Sequence, residues 1–193
     1  MFVVTLLPLA TALAQTAEPA SARTVARQFE IDQKKIDDAL WYFKVGDVAA
    51  VDKVELTGKA RRDRNPTGQG AGNPLIIPAY VFTPKNLRGK APLIVFVHGG
   101  VHSDFETSYA HIVRELIEQG YVIIAPEYRG STGYGEEMYD QIDYGGAEVD
   151  DVKAARDWAV ENLGSVDGKR VGIIGWSHGG YQTLMNIFRW PDA

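Results

Sequence analysis

Apolar positions change their spacing along the chain. Over residues 29–45, "FEIDQKKIDDALWYFKV", Ile36, Leu40 and Phe43 recur on one side at helical spacing, and Gly46 supplies a stop. Residues 50–61 and 75–83 alternate instead, the period of strands. Between them, "RDRNPTGQGAGNP" is rich in turn residues and reads as a hairpin loop. Its glycines do not make a phosphate loop, because no Lys-Ser or Lys-Thr follows and the next element is a strand. From Ala91 onward the pattern becomes short continuous apolar runs: "PLIVFVHGG", "YVIIAPEY" and "RVGIIGW". Residues 106–119, 147–163 and the stretch from Tyr181 to Arg189 read as helices between and after them; the second puts Val152, Ala155 and Ala159 on one face. Strands buried on both faces, alternating with helices, predict an α/β fold with a mostly parallel sheet and helices on both sides. Residues 75–193 form this expected domain, and residues 29–74 a helix-and-strand extension before it. No internal repeat and no second domain are visible.

Composition narrows the function classes. The 193 residues fit one domain, with 45% hydrophobic and 23% charged residues as in soluble globular proteins. A formal net charge of -5 offers no basic field for nucleic acid or anionic membranes. There is no cysteine, which excludes disulfides, thiol nucleophiles and cysteine-zinc sites. The opening "MFVVTLLPLATALAQTAEPASA" reads as a secretory signal over residues 1–14, ending in the A-x-A pattern Ala12-Leu13-Ala14. No Lys or Arg precedes its apolar run, which departs from the usual signal. The run is shorter than the ~20 residues that span a bilayer. The expectation is an exported protein, periplasmic or extracellular, maturing near Gln15, with a flexible linker over residues 15–28.

One pentapeptide carries chemistry. Gly175-Trp176-Ser177-His178-Gly179 fits G-x-S-x-G, preceded by an apolar strand and followed by a helix, the setting of a nucleophile elbow. In such a turn, side chains at Gly175 or Gly179 would collide with neighbouring backbone, and Gly180 is expected to let the helix pack closely. Ser177 is then presented at a helix N-terminus, where backbone N–H groups face developing negative charge. His98-Gly99-Gly100 ends an earlier apolar strand, the place from which a second oxyanion donor comes in this architecture. The backbones of His178, Gly99 and Gly100 are therefore the expected oxyanion donors, and the His98 side chain is expected to hold the loop by hydrogen bonds.

At these residues the chain resembles a family. "HGG" at 98–100, "YRGSTGYGEE" at 128–137, "GGAEVDDV" at 145–152 and "GWSHGGYQTL" at 175–184 are similar to the catalytic domain of the prolyl oligopeptidase family of serine peptidases, which are α/β-hydrolases. The resemblance covers roughly residues 75–190. It implies a Ser177 nucleophile, acyl transfer through a serine ester, peptide substrates, and neither metal nor organic cofactor. The β-propeller of classical members has no room in the ~70 residues before the hydrolase strands. Propeller-free relatives, esterase-like and dienelactone-hydrolase-like, therefore stay open, with ester substrates. A catalytically inactive protein that only binds ligand is the reading from another class.

The triad of α/β-hydrolases runs Ser, acid, His along the chain. Downstream of Ser177 stand only His178, adjacent to it and unable to face it, and Asp192. His98, His102 and His111 lie upstream, and of these His102 is the candidate for an unusual base. If "VGII" at 171–174 were the last strand, an apolar strand would sit at an unprotected sheet edge. The expectation is a piece of a longer enzyme, with its C-terminal strands, acid and histidine beyond Ala193. Glu148, Asp150 and Asp151 read as acids capping a helix start rather than a metal site, and Glu136 and Glu137 as the head of a short helix. "ARRDR" at 60–64 reads as a solvated patch, and Trp41 as a packing residue.

Overall fold

Alternation along each strand decides which helices it meets. The computed structural model describes residues 21–63 and 65–192. Its strands are β1 (Ala49–Ala60), β2 (Pro74–Pro84), β3 (Ala91–Val97), β4 (Val122–Pro126) and β5 (Val166–Gly175). Its helices are α1 (Ala22–Val45), α2 (Ala110–Glu118), α3 (Gly135–Tyr139), α4 (Ala147–Asn162) and α5 (His178–Arg189), with a 3-10 turn at Thr107–Tyr109 leading into α2. On one face of the sheet, Leu93, Val95 and Val97 of β3 and Val122 and Ile124 of β4 pack with Val152, Ala155 and Ala159 of α4. On the other, Ile94, Phe96, Ile123 and Ala125 pack with Trp41 of α1 and Val113 and Ile117 of α2.

The strand order is β1-β2-β4-β3-β5. The β1/β2 and β2/β4 pairs are antiparallel, and β3 pairs in parallel with both β4 and β5. Only β2 runs against the rest, so the sheet is mixed, parallel across β4, β3 and β5, with helices on both faces. The expected boundary at residue 74 does not divide the sheet. Ala79–Phe82 of β2 pairs with Ile123–Pro126 of β4, so the β1/β2 hairpin is part of the same sheet.

Two expectations about α1 change. It begins at Ala22, so residues 22–28 are helix and not linker. Ser21 caps it by accepting the Thr24 N–H at 3.2 Å, Arg23 pairs with Glu136 and Asp140, and the Arg27 guanidinium lies 3.7 Å over the Tyr139 ring. The signal sequence and residues 15–20 of the linker lie outside the described residues. The inward face is also different. Ile36 and Phe43 are 60% and 85% exposed, while Lys34, Trp41 and Val45 are buried. Trp41 decides the orientation: it stacks on Phe105 at 5.4 Å and meets Phe82 edge-on at 4.9 Å. One buried tryptophan removes more apolar surface from water than the partly covered alternatives would. Among the described residues no helix is long and apolar enough to cross a membrane.

Behind β4, Arg129 and Asp151 form a buried pair. Arg129 Nε and Nη2 donate to the carboxylate at 2.8 and 3.0 Å, and Nη2 also reaches the Lys59 carbonyl of β1 at 3.2 Å. Asp151 therefore serves α4 as an anchor to β1 and β4, not as the helix-start cap expected from its position. Arg61 and Arg62 are likewise bonded, to Asp63 and to the Asp140 and Ile142 carbonyls, rather than free in solvent.

Truncating Trp41 tests the α1 docking. Trp41→Ala is expected to cost about 3–5 kcal/mol in urea denaturation. Trp41→Phe is expected to cost less, because it also removes an indole N–H that is buried without a partner. Equal costs would contradict the packing described.

Candidate active site

β5 leads directly into a strained residue. Ser177, the N-cap of α5, has φ 53° and ψ -116°, a backbone that a non-glycine residue adopts at a cost of about 1–3 kcal/mol. It is exposed, and its Oγ makes no hydrogen bond among the described residues. The neighbouring glycines explain how the turn closes. A Cβ on Gly175 would overlap the Gly179 carbonyl, and one on Gly179 would overlap the Val97 and His98 carbonyls. Gly180 departs from expectation: a Cβ there would meet Gly175 O at 3.5 Å, ordinary contact, so close packing does not demand glycine at 180.

The His98-Gly99-Gly100 loop lies against this turn. A Cβ on Gly99 would fall 2.8 Å from the Trp176 carbonyl and 3.4 Å from Ser177 Cβ. Each peptide of the loop is fixed separately. Gly99 N–H donates to Tyr109 Oη at 3.3 Å. The Gly99 carbonyl accepts from His98 Nδ1 at 3.0 Å, and the Gly100 carbonyl accepts from Tyr128 Oη at 2.6 Å. In a trans peptide the C=O and the next N–H point opposite ways, so the bond to Gly99 O turns Gly100 N–H away from the His98 ring. Among the described residues, Gly100 N–H and His178 N–H donate to nothing. The loop thus commits the Gly99 amide to Tyr109 and leaves that of Gly100 available.

The segment after β4 scaffolds this loop. Burial, then the Glu127 charge, pushes the Tyr128 hydroxyl well above its ordinary range, so it stays a donor. His98 is fully buried, and desolvation lowers its pKa against the pull of Glu127. Its Nδ1 proton is assigned by the Gly99 carbonyl, and its Nε2 faces Ser131 Oγ at 3.0 Å. Thr132 binds the far side of the loop, N–H to Ser103 O at 2.9 Å and Oγ1 to Asp104 at 3.0 Å. Tyr128, Gly130, Ser131 and Thr132 thus hold the glycine loop, while Arg129 between them anchors α4.

With this geometry in place, residues 107–193 match the profile of the prolyl oligopeptidase family. An uncharacterized peptidase of Bacillus subtilis is 35% identical over 113 residues, 56% of this chain and 17% of that protein. Acylamino-acid-releasing enzyme 1 of Oryza sativa subsp. japonica is 38% identical over 104 residues, 53% of this chain and 13% of that enzyme. The structure of a Mycobacterium tuberculosis puromycin-hydrolyzing peptidase superposes with a TM-score of 0.59 at 28% identity, covering 72% of this chain and 20% of that one. Pyrococcus horikoshii acylaminoacyl peptidase, at 24% identity and TM-score 0.60 over 72% of this chain and 21% of that one, shares the α/β-hydrolase fold. The chain spans 13–17% of the length of the curated relatives it matches.

The other histidines face elsewhere. His102 Nδ1 bonds the Gly130 carbonyl at 2.9 Å and its ring stacks on Tyr139 at 3.6 Å, so its expected candidacy as base finds no support. His111 Nδ1 bonds the Ser108 carbonyl at 2.9 Å. The His178 ring turns toward Glu148, with Nε2 3.8 Å from the carboxyl. Glu148 is buried and bonds back to the Gly145 and Gly146 amides, while Asp143 takes the Ala147 N–H at 3.0 Å. Burial, then Asp143, raises Glu148 from 4.5 to about 7. Burial, then His98, lowers His178, so the pair is not an ion pair near neutrality. Sequence alone did not point to Tyr109, Ser131, Glu127 or Lys34; the "YRGSTGYG" string was the one available signal.

Two outcomes check this geometry. Gly179→Ala is expected to lower the melting temperature sharply, because backbone must move. Gly180→Ala is expected to hold or raise it, since Ala is favoured over Gly in a helix by up to about 1 kcal/mol. Equal losses would contradict the contrast. For Glu148, the folded state holds a proton that the unfolded chain releases between pH 4.5 and about 7, so stability falls as pH rises through that window. Glu148→Gln is expected to flatten that decline in denaturation curves taken across it; parallel curves would contradict it.

Proposed function

We propose that this chain supplies the nucleophile and the oxyanion donors of a serine peptidase. The observation that carries the reading is the exposed, strained Ser177 packed against the His98–Gly100 loop, with the Gly100 and His178 amides unengaged, in a chain whose residues 107–193 match the prolyl oligopeptidase family. Ser177 Oγ attacks the carbonyl carbon of a peptide bond. The oxygen takes the negative charge between the two N–H groups, the amine leaves with a proton, and water hydrolyses the serine ester. The names of the relatives make N-acylated peptides the first substrates to try. None of the described histidines is turned to receive the Ser177 proton, so the proposal assigns that proton to a base outside these side chains.

The test is covalent labelling of the natural full-length protein by a fluorophosphonate, against Ser177→Ala. Labelling confined to the wild type is expected, with hydrolysis of an aminoacyl amide lost in the variant. Equal labelling of both would refute the nucleophile. The same oxyanion geometry serves esters, so turnover restricted to a short acyl ester would replace peptidase by carboxylesterase.

A further inference from the structure

The N-terminal helix reaches the oxyanion loop through a buried pair of charges. Lys34 of α1 is 3% exposed, and Glu127, just beyond β4, is fully buried; their side chains form an ion pair. Lys34 Nζ also donates to Asp104 at 2.8 Å and to the Phe105 carbonyl at 2.9 Å. Glu127 accepts the Phe105 N–H at 3.1 Å and the Tyr134 hydroxyl at 3.2 Å. Both backbone groups of Phe105 are therefore taken by the two members of one ion pair. Phe105 closes the loop that His98 opens. At the other end, the Glu127 carboxyl packs 3.5 Å from His98 Nε2 with no proton between them, while the His98 Nδ1 proton holds the Gly99 carbonyl. One turn further along α1, Asp37 takes the Thr107 N–H at 3.0 Å and its hydroxyl at 2.7 Å.

The surroundings are shaped around this pair. A Cβ on Gly133, whose φ is +84°, would fall 2.7 Å from Lys34 Cβ. Burial opposes the Lys34 ammonium, but Glu127 and Asp104 outweigh it and hold its pKa above the ordinary value, so the ammonium stays charged. An ion pair taken out of water is an inefficient way to stabilise a fold, since apolar side chains of similar volume often do as well or better. What this pair adds is direction: a donor and an acceptor aimed at one peptide.

We propose that Lys34 and Glu127 are a positioning pair that fixes residues 98–105 at the Phe105 end and thereby aims the Gly100 N–H toward Ser177. The helix α1 is then part of the catalytic unit and not only packing on its sheet. The consequence for reactivity rests on the reading of Ser177 as nucleophile; the consequence for the loop does not.

Three variants of the natural full-length protein test it: Lys34→Met, Glu127→Gln, and the double Lys34→Met/Glu127→Leu, which removes both charges of the pair. Hydrogen exchange followed by mass spectrometry reads the peptides over 98–105 and, as controls, those over α2 and β5. Fluorophosphonate labelling of Ser177 and the separate values of kcat and KM read the site. In the folded variants, exchange over 98–105 is expected to accelerate while the controls stay put. Labelling and kcat are expected to fall by about 10²-fold with KM little changed, the scale of a small misplacement of reacting groups. A merely structural pair would lower the melting temperature without moving the loop exchange or the kcat/KM split. Unchanged exchange over 98–105 in the double variant would overturn the proposal, as would wild-type labelling in that variant. If the wild type itself is not labelled at Ser177, the peptidase reading fails. The pair is then judged on exchange alone, where local acceleration upholds it and its absence overturns it.

Discussion

The backbone of Gly179 rests on the carbonyl oxygens of Val97 and His98, with no space for a side chain between them. That contact joins the start of α5 to the end of β3. It is possible because β3 and β5 are parallel neighbours in register, Val97 opposite Gly175. Two residues beyond that pair stand Gly99 and Ser177, just past the ends of adjacent strands. The carboxyl ends of parallel strands are where open α/β sheets bind ligands. Here the sheet's register brings a strained serine and a glycine loop together, and the glycines let them touch.

Charge is concentrated under this rim. Arg129 with Asp151, and Lys34 with Glu127, are buried pairs that follow β4 or lean on it. Glu148 lies beneath His178, raised toward neutrality by burial and by Asp143. Along the strands themselves the interior is aliphatic and aromatic. The polar groups are spent on loop backbone: Phe105, Gly99, Gly100, Gly145 and Gly146 all have their peptide groups held by buried or half-buried side chains. Loops held this way keep an N–H in place without depending on solvent.

The elements after Ala91 were legible because short apolar runs and amphipathic stretches have different periods, and each appears as strand or helix within a few residues of expectation. The elbow was legible for a local reason, strand, G-x-S-x-G, helix. The inward face of α1 was not. Its apolar stripe of Ile36, Leu40 and Phe43 has proper helical spacing, yet the helix turns Lys34 and Trp41 inward. The partners that decide this, Phe105 and Glu127, lie far along the chain, and no local period reports them. The same holds for Asp151, read as a cap from its place in the first turn, whose partner Arg129 belongs to a loop on another strand. The glycine loop was recognised, but which of its amides is left over depends on Tyr109 and His98 together, a three-dimensional fact.

A crystal structure of the full-length protein carrying a phosphonate adduct tests the central claim most directly. The account expects the phosphorus bonded to Ser177 Oγ and a phosphonyl oxygen within hydrogen-bond reach of both Gly100 N and His178 N, with Gly99 N still donating to Tyr109. An adduct on another residue, or a phosphonyl oxygen that leaves the Gly100 amide unengaged, would contradict it.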